Sequence, residues 1–297
     1  MRVVIDSNRM RKPELLAYLM LGPNHKAVIS DYSAIESYKS QDPKSVLEHF
    51  RIVSSFPSQI IVLKATAAVA SLDPSTAPMP ERMIDLEQTA GFPKFSEAMT
   101  MAYRGNRSVI RQIEERRGWA QDQLLSMTDD GDFREVLAII RQVFSADQWK
   151  RFRRKETFTP EMQAQLHVAI MMTAEALANG HPTGMVLPEP PHLHHHFTFR
   201  LAMCHVIHLI DLAGAGATNR KPKQVLNDRV DVFHAAYATY FNGLMTTDEK
   251  AALTHHHARS ALQSLGVTLA ENYADQTQRQ VLDLINDRRA KAGKPPL

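Results

Sequence analysis

The feature that most constrains this sequence is where its strand signal stops and where it resumes. Over residues 1–73, short β-branched runs alternate with stretches of helical period. Val3-Val4-Ile5 comes first, then Leu15, Leu16 and Leu19 behind Pro13 with a Gly22-Pro23 stop, then Ala27-Val28-Ile29. Ile35 follows, then Val46, Leu47, Phe50 and Val53 behind Pro43, and finally Ile60-Ile61-Val62-Leu63. Continuous apolar runs of this kind are strands buried on both faces, and their alternation with helices is the pattern of βα units on a parallel sheet. From 74 to 198 strand candidates vanish, prolines and methionines become frequent, and the periodic segments read as helices. One of these is capped by Thr159, opened by Pro160 and stopped by Gly180, with Met162, Leu166, Ile170, Ala174 and Leu177 along one face. Over 199–297 the α/β signal returns: an apolar helix over 199–213, a basic loop over 214–223, a helix over 227–241, a strand over 243–247 and a helix over 248–265. A strand candidate at 267–269 and a last helix over 277–290 complete it. The expectation is an α/β core with a central, mainly parallel sheet, divided into parts 1–73 and 199–297 by a helical insertion over 74–198.

At 297 residues and 44% hydrophobic, the chain can bury a substantial core. With Cys204 alone it has no intrachain disulfide and no multi-cysteine zinc site. Its apolar runs are too short or too interrupted for a bilayer span, and the first of them is too short for a secretory signal. A cytoplasmic protein without a membrane segment is expected. The net charge of +3 is compatible with a polyanion but does not require one. The basic residues are uneven, with one group at Arg104, Arg107, Arg111, Arg116 and Arg117 and another in Trp149-Lys150-Arg151-Phe152-Arg153-Arg154-Lys155. Cations interleaved with aromatics suit phosphate contact with base stacking; a charged helix face over buried Trp149 and Phe152 is the competing role. Arg200, Lys221 and Lys223 flank the returning α/β segment and are candidate phosphate clamps.

Four acids fall where a parallel sheet places ligands or next to such a place. Asp6 ends the first strand, at the carboxyl edge where open α/β proteins bind, although Asp6-Ser7-Asn8 also suits a capping turn. Glu36 lies six residues after the strand-end Ser30, on a helix where an exposed carboxylate is the ordinary alternative. Asp231 leads Asp-Val-Phe-His-Ala-Ala-Tyr-Ala near the start of a helix, with Asp228 one turn before it as a further ligand or a helix-terminus charge. Asp248 closes Thr246-Thr247-Asp248 after the last main strand, where it is also a natural N-cap.

Taken together these motifs resemble the PIN family of nucleases. A strand-end Asp, a strand-end Ser with a Glu six residues on, an Asp ahead of Ala-Ala-x-Ala, and Thr-x-Asp occur here in that family's order. The resemblance covers about 1–63 and 199–265; the insertion has no counterpart in the small family members, and the second half is similar to a longer bacterial branch, which prefers Asp where this chain has Asn242. It implies a three-layer α/β core and a Mg²⁺- or Mn²⁺-dependent endonuclease acting on nucleic acid, RNA more than DNA. It also implies Asp6 and Asp231 at the central metal, Glu36 and Asp248 holding it or a second ion, and water as the nucleophile. Such proteins can have a protein partner that restrains or activates them. The alternative is a PIN-like scaffold that binds nucleic acid without cleaving it. A phosphatase-like hydrolase needs a second Asp two residues after the first, where this chain has Asn8.

Fourteen histidines include clusters at His192, His194, His195 and His196 and at His255, His256 and His257. Adjacent imidazoles point in different directions, so a surface that traps metal weakly is expected there rather than a zinc centre. His234, three residues after Asp231, can approach the acids but reads as a packed, hydrogen-bonded side chain.

Overall fold

The computed structural model describes residues 1–276 and 286, apart from 41, 129, 130, 155, 183 and 216–220. Four strands form the sheet: β1 (Arg2–Ile5), β2 (Lys26–Ile29), β3 (Ile60–Val62) and β4 (Leu244–Met245). Their order is β3-β2-β1-β4 and every pairing is parallel, with Val4 opposite both Val28 and Leu244. Between the strands run α1 (Pro13–Met20), α2 (Asp31–Tyr38) and α3 (Pro43–Ser54). After β3 come α4 (Thr66–Ala70), α5 (Met79–Met83), α6 (Leu86–Tyr103), α7 (Arg107–Ser126), α8 (Gly131–Val143), α9 (Ala146–Arg153) and α10 (Pro160–Asn179). Then follow α11 (Phe197–Gly214) and α12 (Pro222–Ala238) before β4, and α13 (Glu249–Ser264) and α14 (Tyr273–Gln276) after it.

Apart from Arg2 and Lys26 at their starts, the strands are apolar because helices cover both faces. Alternate side chains point to opposite sides, so Val3, Ile5, Ala27 and Ile29 join one cluster and Val4 and Val28 the other. The first cluster takes Leu15 and Leu19 of α1, Phe50 and Val53 of α3, Phe92 and Met99 of α6 and Ile113 of α7. The second is built on α11 and α12 and takes Phe133 and Ile140 of α8, Phe152 of α9 and Ile170 of α10. The region expected as an insertion therefore divides between the two faces of the sheet and supplies part of each layer. Ala235, Ala236 and Ala238 are fully buried, which lets α12 lie close to the strands. Phe197–Gly214 is long and apolar enough to cross a membrane, yet 89% of it is buried inside the protein as the central helix of the second cluster.

Three expectations change. The helix expected at 227 starts at Pro222, because a proline at the first helical position is preset for the helix and Lys221 before it is extended. Asp231 is consequently two and a half turns inside α12 rather than at its start. The candidate strand at 267–269 forms no ladder: Val267 N–H turns back to the carbonyl of Leu262 at the end of α13, while its side chain enters the core. The strand expected over 243–247 is only two residues long, with Gly243 at φ +117° before it and Thr246 leaving the sheet after it. The helix expected over 277–290 lies, apart from Asn286, outside the described residues.

Candidate metal centre

The chain runs from β1 out to β2 and β3 on one side and brings β4 back on the other. The crevice beyond the carboxyl ends of β1 and β4 is thus a topological switch point, the usual ligand position of an open α/β sheet. Asp6, 3% exposed, follows β1 into it. Its carboxylate accepts from Asn8 N–H (3.3 Å), from Thr246 Oγ1 (2.6 Å) and from the Asn8 side-chain amide. Asn8 Oδ1 in turn accepts Thr247 N–H at 3.0 Å, so the turns after β1 and β4 are tied through Asp6 and Asn8 across 240 residues of sequence. The capping turn and the inward-facing carboxylate, competing roles in the sequence, coexist.

Ser30 caps α2, and Glu36 on the second turn of the helix is 7% exposed rather than a solvated helix charge. Ser7 Oγ donates to Glu36 Oε2 and Lys39 Nζ to Oε1, each at 2.7 Å. Burial pushes this carboxyl up, but Lys39, His234 and the two hydrogen bonds outweigh it and hold Glu36 below its ordinary range.

Asp231, 9% exposed, has no hydrogen bond to its carboxylate among the described residues. Burial first, and then the charges of Asp248, Asp6, Glu36 and Asp228, push its pKa from 3.8 up to about 8. The charges of the other three expected acids thus act on Asp231. Asp248 caps α13, accepting Lys250 N–H (2.8 Å) and Ala251 N–H (3.1 Å), both on Oδ1. Asp228 is 2% exposed, 3.5 Å from His208 Nε2, and too far into α12 to act as a helix-terminus charge.

His234 is the packed, hydrogen-bonded side chain expected from the sequence, and it also approaches the acids. It is fully buried, with Nε2 3.0 Å from Ser33 Oγ and Nδ1 3.7 Å from Asp6 Oδ1. Among the described residues, Asp6, Glu36 and His234 are the one group of three metal-ligating side chains whose donor atoms lie within 4.8 Å of one another. The available signal was the three-residue spacing from Asp231, which places both on one helix face. The histidine clusters form no such group. His196 caps α11, His255 is buried, and His257 pairs with Asp211 at 3.3 Å.

The basic candidates separate. Arg200 is 3% exposed; its Nε donates to the carbonyl of His194 and its Nη1 to the carbonyl and hydroxyl of Thr239, over the Tyr240 ring. It is a structural tie and not a phosphate clamp, because it lies on the buried face of α11. Lys221 and Lys223 are exposed at the start of α12, about 12–15 Å along the helix from Asp231. In the α9 tract, Phe152 is buried against Phe144, Trp149 and Phe158, so it is not presented for base stacking. Lys150 pairs with Asp147, and Arg151 and Arg154 pair with Glu156, while Arg153 is exposed; Lys155 lies outside the described residues. A cavity of about 730 Å³ between α9, α11 and α13 has Glu156, Asp211 and Glu249 in its wall beside Lys250, His208 and His257, a lining of mixed charge.

No family model, curated protein or solved structure matches the chain.

Proposed function

We propose that this protein is a metal-dependent nuclease of the PIN-like type, hydrolysing phosphodiester bonds in nucleic acid, RNA by preference, with Asp6, Glu36, Asp231 and Asp248 around Mg²⁺ or Mn²⁺. The observation that carries the proposal is Asp231: a buried carboxyl without a hydrogen bond among the described residues, pushed to about 8 by burial and by Asp248, Asp6, Glu36 and Asp228. Like charges gathered in a crevice destabilise a fold unless a cation neutralises them. The donor set is also right for one, with carboxylate oxygens for a hard divalent ion and a buried imidazole nitrogen that has no hydrogen-bond partner. The preference for RNA comes from the family resemblance.

A divalent cation bound here supplies charge neutralisation at the phosphoryl oxygens and an acidified water. The protein's own groups do the rest. Thr246 and Asn8 fix the rotation of the Asp6 carboxylate, and Ser7 and Lys39 fix that of Glu36. Asp231 carries a proton at neutral pH while the site lacks a cation and gives it up when one enters. Asp248 has Oδ1 committed to the start of α13, which anchors the carboxylate whose charge acts on Asp231. In the reaction, water attacks phosphorus, the P–O ester bond breaks, and the leaving oxygen takes a proton. Phosphate contacts fall to the exposed cations Lys221, Lys223, Lys150, Arg153 and Arg154.

The test is cleavage of single-stranded RNA and DNA with Mg²⁺, Mn²⁺ or EDTA. Cleavage should require a divalent ion, and Asp6→Asn and Asp231→Asn should each lower kcat by at least about 10²-fold. Full activity in both variants, or undiminished cleavage in EDTA, overturns the proposal.

A further inference from the structure

His234 is where the site departs from an all-oxygen donor set. Its tautomer follows from a proton count. Ser33 Oγ has one proton and two acceptor positions. That proton goes to the carbonyl of Ile5 at 2.7 Å, the shortest of its contacts. Ser30 Oγ and His234 Nε2, at 3.1 and 3.0 Å, must then donate to Ser33 Oγ. A neutral His234 with its hydrogen on Nε2 has a bare lone pair on Nδ1. Among the described residues that nitrogen is buried without a hydrogen-bond partner, and the Asp6 carboxylate 3.7 Å from it can only accept. Two acceptors facing each other in a buried crevice repel, and a cation between them converts the repulsion into two bonds.

The separations are close to what one ion needs. Donors about 2.0–2.2 Å from a metal stand no more than about 4.4 Å apart, so Asp6, Glu36 and His234, whose donor atoms lie within 4.8 Å of one another, need draw together only by a few tenths of an ångström. The supporting shell is already built. Metal-bound histidines ordinarily donate their second N–H to a polar group that fixes the ring, and Ser33, itself anchored on the backbone of β1, is that group. First-row transition ions, of which Mn²⁺ binds most weakly, accept an imidazole nitrogen beside carboxylates more readily than Mg²⁺, which takes oxygen ligands and keeps its waters.

We propose that His234 Nδ1 is a direct metal ligand, together with Asp6 and Glu36, so that the site is a mixed nitrogen–oxygen centre selecting Mn²⁺ over Mg²⁺. This rests on the reading that the acidic cluster holds a cation, but not on the cluster being a nuclease.

The experiment uses the full chain, stripped with chelator and without nucleic acid. Mn²⁺ and Mg²⁺ are titrated calorimetrically, and pulsed EPR on the Mn²⁺ form reads coupling to a bound ¹⁴N. Mn²⁺ should bind at least about tenfold more tightly than Mg²⁺, with a directly bound imidazole ¹⁴N in the spectrum. His234→Ala should remove that coupling and weaken Mn²⁺ by about 10–100-fold, leaving Mg²⁺ within about threefold. Ser33→Ala should weaken Mn²⁺ while retaining the coupling. Mn²⁺ bound without ¹⁴N coupling in the unmodified protein overturns the proposal even where His234→Ala fails to fold, and leaves the nuclease reading standing. Failure to bind either cation overturns both.

Discussion

Asp231 makes the stability of the cation-free protein depend on pH in an unusual direction, and Asp231→Asn isolates the effect. In the folded chain this carboxyl titrates at about 8, against 3.8 ordinarily. Between those values the folded state holds a proton that the unfolded state has released, so stability falls as pH rises through the window and levels off above about 8. At 1.36 kcal/mol per pH unit, the interval from 3.8 to 7 amounts to about 4 kcal/mol. Asparagine has no charge to lose in either state, so the variant should be more stable at pH 7 by about that amount, or about 8 °C in Tm at about 2 °C per kcal/mol for a chain of this size. The assay is thermal unfolding in EDTA at steps from pH 5 to 8.5, on both proteins. Their Tm curves should lie closest at pH 5 and diverge as pH rises. Mn²⁺ at about 100 times Kd should then narrow the gap at pH 7, because it stabilises the wild type by about 2.7 kcal/mol while the variant has lost a ligand. Parallel curves in EDTA would refute the convergence of charge on Asp231.

Three further outcomes follow from neighbouring features. Arg200→Met leaves the buried carbonyls of His194 and Thr239 without donors and should cost about 3 kcal/mol in urea unfolding, with no change in the salt dependence of nucleic-acid binding; a lowered salt slope would return it to the phosphate contacts. Lys221→Glu with Lys223→Glu should lower the slope of log K against log salt by about 1.4 on single-stranded RNA, at about 0.7 per phosphate; an unchanged slope places the substrate elsewhere. Gly243→Ala sets a Cβ at φ +117° and 2.5 Å from Asn272 Oδ1, so it should lower stability by about 1–3 kcal/mol, read as a shift of the urea midpoint.

Much of the site was legible because its anchors are local. A short apolar strand followed by an acid needs no tertiary information, and Asp6 after β1 and Asp248 after β4 were placed by that pattern alone. Glu36 was legible as a position but not as a buried group, since its inward turn depends on Ser7 and Lys39 reaching it. Arg200 was misjudged for the converse reason: an arginine near acids in sequence reads as a substrate contact, and its burial follows from α11 being covered by other helices.

By itself, the sequence determined where the four strands lie, most helix limits and the return of the α/β pattern after residue 198, but not the extent of β4 or the absence of a strand at 267–269; what it determined depends on period, caps and prolines within a few residues. Only the tertiary structure decided that β4 pairs beside β1, that helices from the middle of the chain cover both faces of the sheet, and that His234 turns a bare nitrogen toward Asp6. The physical reason is common to all three. Strand order and side-chain burial are set by which apolar surfaces exclude water together, and that depends on residues more than a hundred positions apart.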